Sequence, residues 1–108
     1  IAKMLQDSFS TAQVDMQARA LAEARLDAER MILATQSAVK ADRYLLSDDE
    51  HAAIERLIDT VRESKNSSEA AFIEQQTKLL ADGTEAFAAQ RMNAGISQAL
   101  KGKALDEV

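Results

Sequence analysis

Nothing in this chain readily stops a helix before Gly83: proline is absent altogether, and Gly83 is the first of three glycines. From Ile1 to about Tyr44 apolar residues recur at steps of three and four, the period of one helical face. A helix of that reach is about 65 Å long at 1.5 Å per residue, more than a 108-residue globule covers by itself. Its leading half is therefore expected to lie on another surface. That surface is either a further part of the same protein or a second copy of this chain.

With 46% apolar residues and 29% charged, the chain is too hydrophobic for a disordered tail, and its length allows one domain with a modest core. Aromatic residues are only 4%, so that core has to be built from Ala, Leu, Ile and Met. A net charge of -5 argues against nucleic acid, because neutralising phosphates needs clustered Lys and Arg. No apolar run reaches bilayer length, and no signal-peptide pattern is present, so no membrane partner is expected. The absence of cysteine rules out disulfides and thiolate metal sites within these residues and favours a cytoplasmic setting. The chain starts at Ile1 without an initiator Met, which reads as a segment of something longer.

The expected architecture is all-α, a long N-terminal helical arm running into a three-helix bundle, with a short C-terminal helix and a frayed tail. Ile1, Met4, Leu5, Phe9, Ala12 and Met16 fall on one face of the arm and are the candidates for docking or self-association. Alanines then dominate from Ala18 to Ala28, which allows a bend or sideways drift near Gln13 to Arg19. Apolar weight returns with Met31, Ile32, Val39 and Leu46. Ser47-Asp48-Asp49-Glu50 is a capping box: the serine oxygen can accept the Glu50 amide while the glutamate reaches back, so a second helix starts here. Ile54, Leu57, Ile58 and Val61 form its buried face, Ser64 to Ser68 supplies a polar turn, and Asn66 and Glu69 offer another capping pair. A third helix is expected to bury Phe72, Ile73, Gln76, Leu79, Leu80, Gly83 and Phe87, to run to Met92, and to weaken at Asn93-Ala94-Gly95. Gly83 signals close approach of a neighbouring helix, since glycine costs about 1 kcal/mol there relative to alanine. The parts are thus an arm over 1–27, a bundle over 28–92, and a short helix and tail over 93–108.

Chemistry is thin. His51, the single histidine, sits in the first turn of the second helix beside three acids and has no clustered partner, which reads as a surface residue. There is no Glu-x-x-His pair, no glycine-rich phosphate loop and no Ser/His/Asp set, so neither a metal site nor a catalytic site is expected in these residues. Arg25 and Glu29, one helical turn apart, are an ordinary exposed ion pair on the simplest reading.

Ile1-x-Lys3-Met4, Asp7, Leu46-Ser47-x-x-Glu50, Ala53-Ile54-Glu55 and Ala71-x-Ile73-Glu74 with Leu80 resemble the C-terminal helical lid of the seventy-kilodalton heat-shock (DnaK-like) chaperones, over about Ile1 to Phe87. Met4-Leu5-x-Asp7-Ser8-Phe9, Arg19-Ala20-Leu21-x-Glu23, Arg91-Met92, Ala99-Leu100-x-Gly102 and Asp106-Glu107-Val108 look like the branch serving bacterial iron-sulfur cluster assembly. The resemblance implies a chaperone in which a nucleotide-binding domain hydrolyses ATP to ADP, a β-sandwich holds the client, and this lid closes over the sandwich. In that branch the client is an iron-sulfur scaffold protein delivered by a J-type co-chaperone. The lid itself would hold no cofactor and catalyse nothing. In the family a latch on the long helix carries Arg, an acid four residues on and His four further, and the matching positions here are Arg25, Glu29 and Leu33. Glutamate stands for a shorter acid and leucine for histidine, which leaves both a polar and a more apolar closure open.

A second reading needs no sandwich. The leading stripe could pair with itself in an autonomous helical oligomer or protein-interaction module, and either reading leaves Met4, Leu5 and Phe9 as a patch that favours self-association.

Overall fold

A computed structural model describes the backbone of residues 2–106 and the side chains of residues 11–101. Helix α1 spans Ala2–Ala41, α2 Asp48–Ser64, α3 Ala70–Gly83 and α4 Glu85–Asp106, with a 3-10 turn at Arg43–Leu45. The all-α expectation holds. The long helix, 40 residues or roughly 60 Å, continues without a break through residues 13–19, where alanine, glutamine and arginine keep helix propensity high although the stripe thins.

Contacts at the two ends of the bundle give the helix directions. Ser47 follows the end of α1, whereas Lys65 and Ser67, just past α2, lie beside Arg25 near the middle of α1. Helix α2 therefore runs back along α1. Helix α3 starts next to Gln17 and Ala20, and the chain that follows it returns to Met31, Thr35 and Ala38 at Phe87, so α3 runs parallel to α1. The bundle reaches back along α1 only to about Gln17. Ahead of that, residues 11–16 are exposed.

The core forms where these helices meet. From α1 come Ala24, Ala28, Ile32 and Val39, from α2 Ile54, Ile58 and Val61, from α3 Ile73 and Leu80, and Leu46 and Phe87 close the far end. Ala24 and Ala28 are small enough to let α3 approach α1, and Ala24 lines a shallow groove with Glu74, Thr77, Lys78 and Ala81. The buried hydroxyls are satisfied locally, Thr35 donating to the Met31 carbonyl at 2.8 Å and Ser64 to the Val61 carbonyl at 2.6 Å. At the far end Arg91 donates to Asp42 at 2.6 Å and tethers α4 to the end of α1.

The start of α2 follows its sequence signal. Glu50 N donates to Ser47 Oγ at 3.1 Å, and Ser47 N donates to the Glu50 carboxylate at 3.0 Å. Ser47→Ala is expected to lower the unfolding free energy by about 1 kcal/mol, read from a denaturant titration. The Ser47 amide, and secondly its side chain, hold the Glu50 carboxyl below its ordinary value of 4.5. A native value depressed in this way stabilises the fold at pH above the unfolded value, and the stabilisation is lost as pH falls through the native one. Acidification below 4.5 should therefore weaken the wild type more than Glu50→Gln. Equal acid slopes for the two proteins would contradict this.

Several expectations fail. The third helix does not run to Met92: it ends at Gly83, because the Thr84 backbone departs from the helical conformation at φ -106° and ψ 3°. The last helix is consequently long, and it passes through Asn93-Ala94-Gly95 because Ala94, Gln98, Ala99 and Leu100 around Gly95 are good helix formers. The tail expected to fray is helical to Asp106, while Glu107 and Val108 lie outside the described residues. Phe72 and Leu79 are 43% and 47% exposed, because α3 is set with Ile73 and Leu80 inward and the adjoining face turns away from the seam. Asn66 and Glu69 do not form a cap; the Glu69 amide donates to Ser67 Oγ at 3.0 Å instead. Gly83 does meet a neighbour closely, since a Cβ there would run into Leu57 Cδ1.

Candidate docking face on the long helix

The bundle consumes one face of α1, the row Leu21, Ala24, Ala28, Ile32, Thr35 and Val39. Side chains seven apart on a helix drift only about 20°, so Ala12, Arg19, Leu26 and Leu33 form another row, turned well away from that buried face. Leu26 is 47% exposed, Leu33 60%, and Met16, one turn past Ala12, 70%. Val14 is exposed as well. These are large apolar side chains that the described residues leave about half exposed or more. The side chains of Ile1, Met4, Leu5 and Phe9, the remaining arm candidates, lie outside the described residues.

Of the three latch candidates, Glu29 and Leu33 are exposed on this side of α1, four residues apart. Arg25 is engaged elsewhere. Its Nε donates to the Lys65 carbonyl at 2.9 Å and its Nη2 to the Ser67 carbonyl at 3.2 Å, both in the turn between α2 and α3. The two groups therefore do not make the simple i, i+4 ion pair that their spacing offers; among the described residues Glu29 has no ion-pair partner. A groove of about 710 Å³ opens between α1 and that turn, with Ala22, Arg25, Leu26 and Glu29 on one wall and Lys65 and Asn66 on the other. Lys65 and Ser67 carried no signal in the sequence, since they lie forty residues or more from Arg25 and join it only through carbonyls.

His51 pairs with Glu55 across one helical turn at 3.4 Å, a local surface contact. Among the described residues no group of three or more His, Asp or Glu side chains is placed to hold a metal ion, and no helix is long and apolar enough to cross a membrane. What the geometry offers is contact area. A long helix, stiffened at one end by a bundle, presents an apolar row with a carboxylate beside it.

The family model described as Hsp70 protein matches residues 1–93, and the chain belongs to the Hsp70 family. Within that family it is similar to proteins named Chaperone protein HscA homolog: that of Variovorax paradoxus is 61% identical over 108 residues, and that of Delftia acidovorans 57% over 108 residues. The counterpart from Burkholderia cenocepacia is 52% identical over the same length. In each case the whole chain is aligned, yet it spans only 17–18% of the relative.

Proposed function

We propose that this chain is the helical lid of the substrate-binding domain of an Hsp70-type chaperone, working in iron-sulfur cluster assembly in the cytoplasm. The observation that carries the reading is the set of exposed apolar side chains, Ala12, Met16, Leu26 and Leu33, on the side of α1 that the bundle leaves free. Apolar area of this kind is stabilised by a partner surface, and in an Hsp70 chaperone that partner is the protein's own β-sandwich. The bundle supplies bulk and stiffness, the α1 row makes the contact, and Glu29 and Leu33 sit where a latch to the sandwich loops would close. Arg25, Glu29 and Leu33 together mark this latch region, and Ile1, Met4, Leu5 and Phe9 are assigned to docking by their spacing in the sequence alone.

A lid acts on escape. Covering the groove raises the barrier to client release, so its effect falls mainly on off-rate, and the open and closed states differ by only a few kcal/mol if nucleotide is to switch them. In the full-length protein ATP and ADP would bind a separate domain, the client would be an iron-sulfur scaffold protein, and a J-type co-chaperone would deliver it. The lid would contribute no catalysis.

The β-sandwich segment of the same protein, supplied as a separate polypeptide, is expected to bind this chain, with Leu26 and Leu33 protected from solvent in the complex. An autonomous helical oligomer would self-associate and ignore the sandwich. Failure to bind across a concentration range in which both pieces are folded would remove the lid reading.

A further inference from the structure

We propose that Arg25 is a positioning residue, which braces the α2–α3 turn against α1 and acts on lid docking through that turn without touching the partner surface. The inference rests on the lid reading for its functional half and on geometry alone for the brace. The last turn of a helix leaves carbonyls without partners, and a glycine in the left-handed conformation commonly satisfies them. This turn has none: Lys65 closes α2 at φ -62° and ψ -17°, and no described residue has a positive φ. Asn66 N and Ser67 N satisfy the Glu63 and Ser64 carbonyls from within the turn, and the Lys65 and Ser67 carbonyls take a donor from outside it. The guanidinium of Arg25 provides it, spanning two carbonyls with the planar fork of Nε and Nη2.

Two consequences follow from that geometry. A guanidinium that swung out to an acid on a sandwich loop would abandon both carbonyls, so bracing and direct latching compete for the same donors. The braced turn also forms the second wall of the groove at Leu26 and Glu29, and just beyond it Ser68, Glu69 and Ala70 face Gln17 and Ala20 across a second groove. The turn is thus the edge of the bundle that flanks the docking row. Loosening it would blur that edge while leaving Leu26 and Leu33 in place on α1.

Hydrogen exchange on this chain and client dissociation from the full-length protein test the two halves. The amides of Asn66 and Ser67 are protected by bonds to the Glu63 and Ser64 carbonyls. Arg25→Ala is expected to speed their exchange by about fivefold or more, while Glu29→Ala leaves it unchanged. Unchanged exchange at Asn66 and Ser67 in Arg25→Ala overturns the brace. In the full-length protein Arg25→Ala is expected to speed client release roughly threefold, and Arg25→Lys is expected to behave alike in both readouts, because one ammonium keeps the charge but not the fork. Release restored to the wild-type rate by lysine while exchange stays fast would show a direct cationic contact and overturn the positioning role. Release unaffected by Arg25→Ala overturns it too. The lid reading is judged separately by charged substitutions at Leu26 and Leu33: if those leave release unchanged, that reading falls, and exchange alone still decides the brace.

Discussion

Leu80→Ala is expected to lower the unfolding free energy of this chain by about 3 kcal/mol, and Leu79→Ala by less than about 1 kcal/mol. The two side chains are chemically identical neighbours on α3, so the difference isolates burial. Leu80 is fully buried in the seam with α1 and α2, and its truncation leaves a cavity that close-packed neighbours fill only partly. Leu79 keeps almost half its surface in water, and the space left by its truncation is open to solvent. In a chain of 108 residues the larger loss corresponds to a fall in melting temperature of roughly 10–20 °C. Chemical denaturation of the two variants checks the rotational setting of α3. Equal losses would mean that α3 is turned so that the Phe72–Leu79 face packs inward.

The second large effect concerns function. Leu26→Asp combined with Leu33→Asp, placed in the full-length chaperone, is expected to speed client dissociation on the order of 30-fold. Burying the exposed part of a leucine is worth about 1 kcal/mol, and forcing a carboxylate into the same contact adds a desolvation cost, so two sites together lose about 2 kcal/mol or more of docking. Each 1.4 kcal/mol is a factor of about ten. Both positions are exposed on α1 and outside the core, so the bundle should keep its stability, which circular dichroism and thermal unfolding would verify. Met92→Asp is the control: it is an apolar residue at least as exposed, carried by α4 instead of the α1 row. Fast release in the control as well would place the docking surface elsewhere.

The all-α class, the long first helix, the start of α2 and most of the core were legible in the chain because each rests on local chemistry. A capping box needs only Ser47 and Glu50 at the right spacing, and the inward row of α2 needs only Ile54, Ile58 and Val61 at helical period. The third helix was harder. Periodicity could not separate Phe72 and Leu79 from Ile73 and Leu80, since all four fit a broad apolar face and only packing selects which part of it faces the seam. The break at Thr84 was missed for a related reason, because the turn of the backbone there, at φ -106° and ψ 3°, is a conformational choice, not a composition signal.

At the candidate site the split has the same origin. The apolar arm and the family resemblance lay in the residues themselves, and the resemblance picked out Arg25, Glu29 and Leu33. That Glu29 and Leu33 stay free while Arg25 bridges the Lys65 and Ser67 carbonyls was decided by the return of α2 along α1. Sequence alone determined what is written in neighbours a turn apart: helix, cap, amphipathic face, charge. Tertiary structure decided which faces remain uncovered and which donor meets which carbonyl, because those depend on how rigid helices rotate against one another. A three- or four-residue repeat limits that rotation without choosing it.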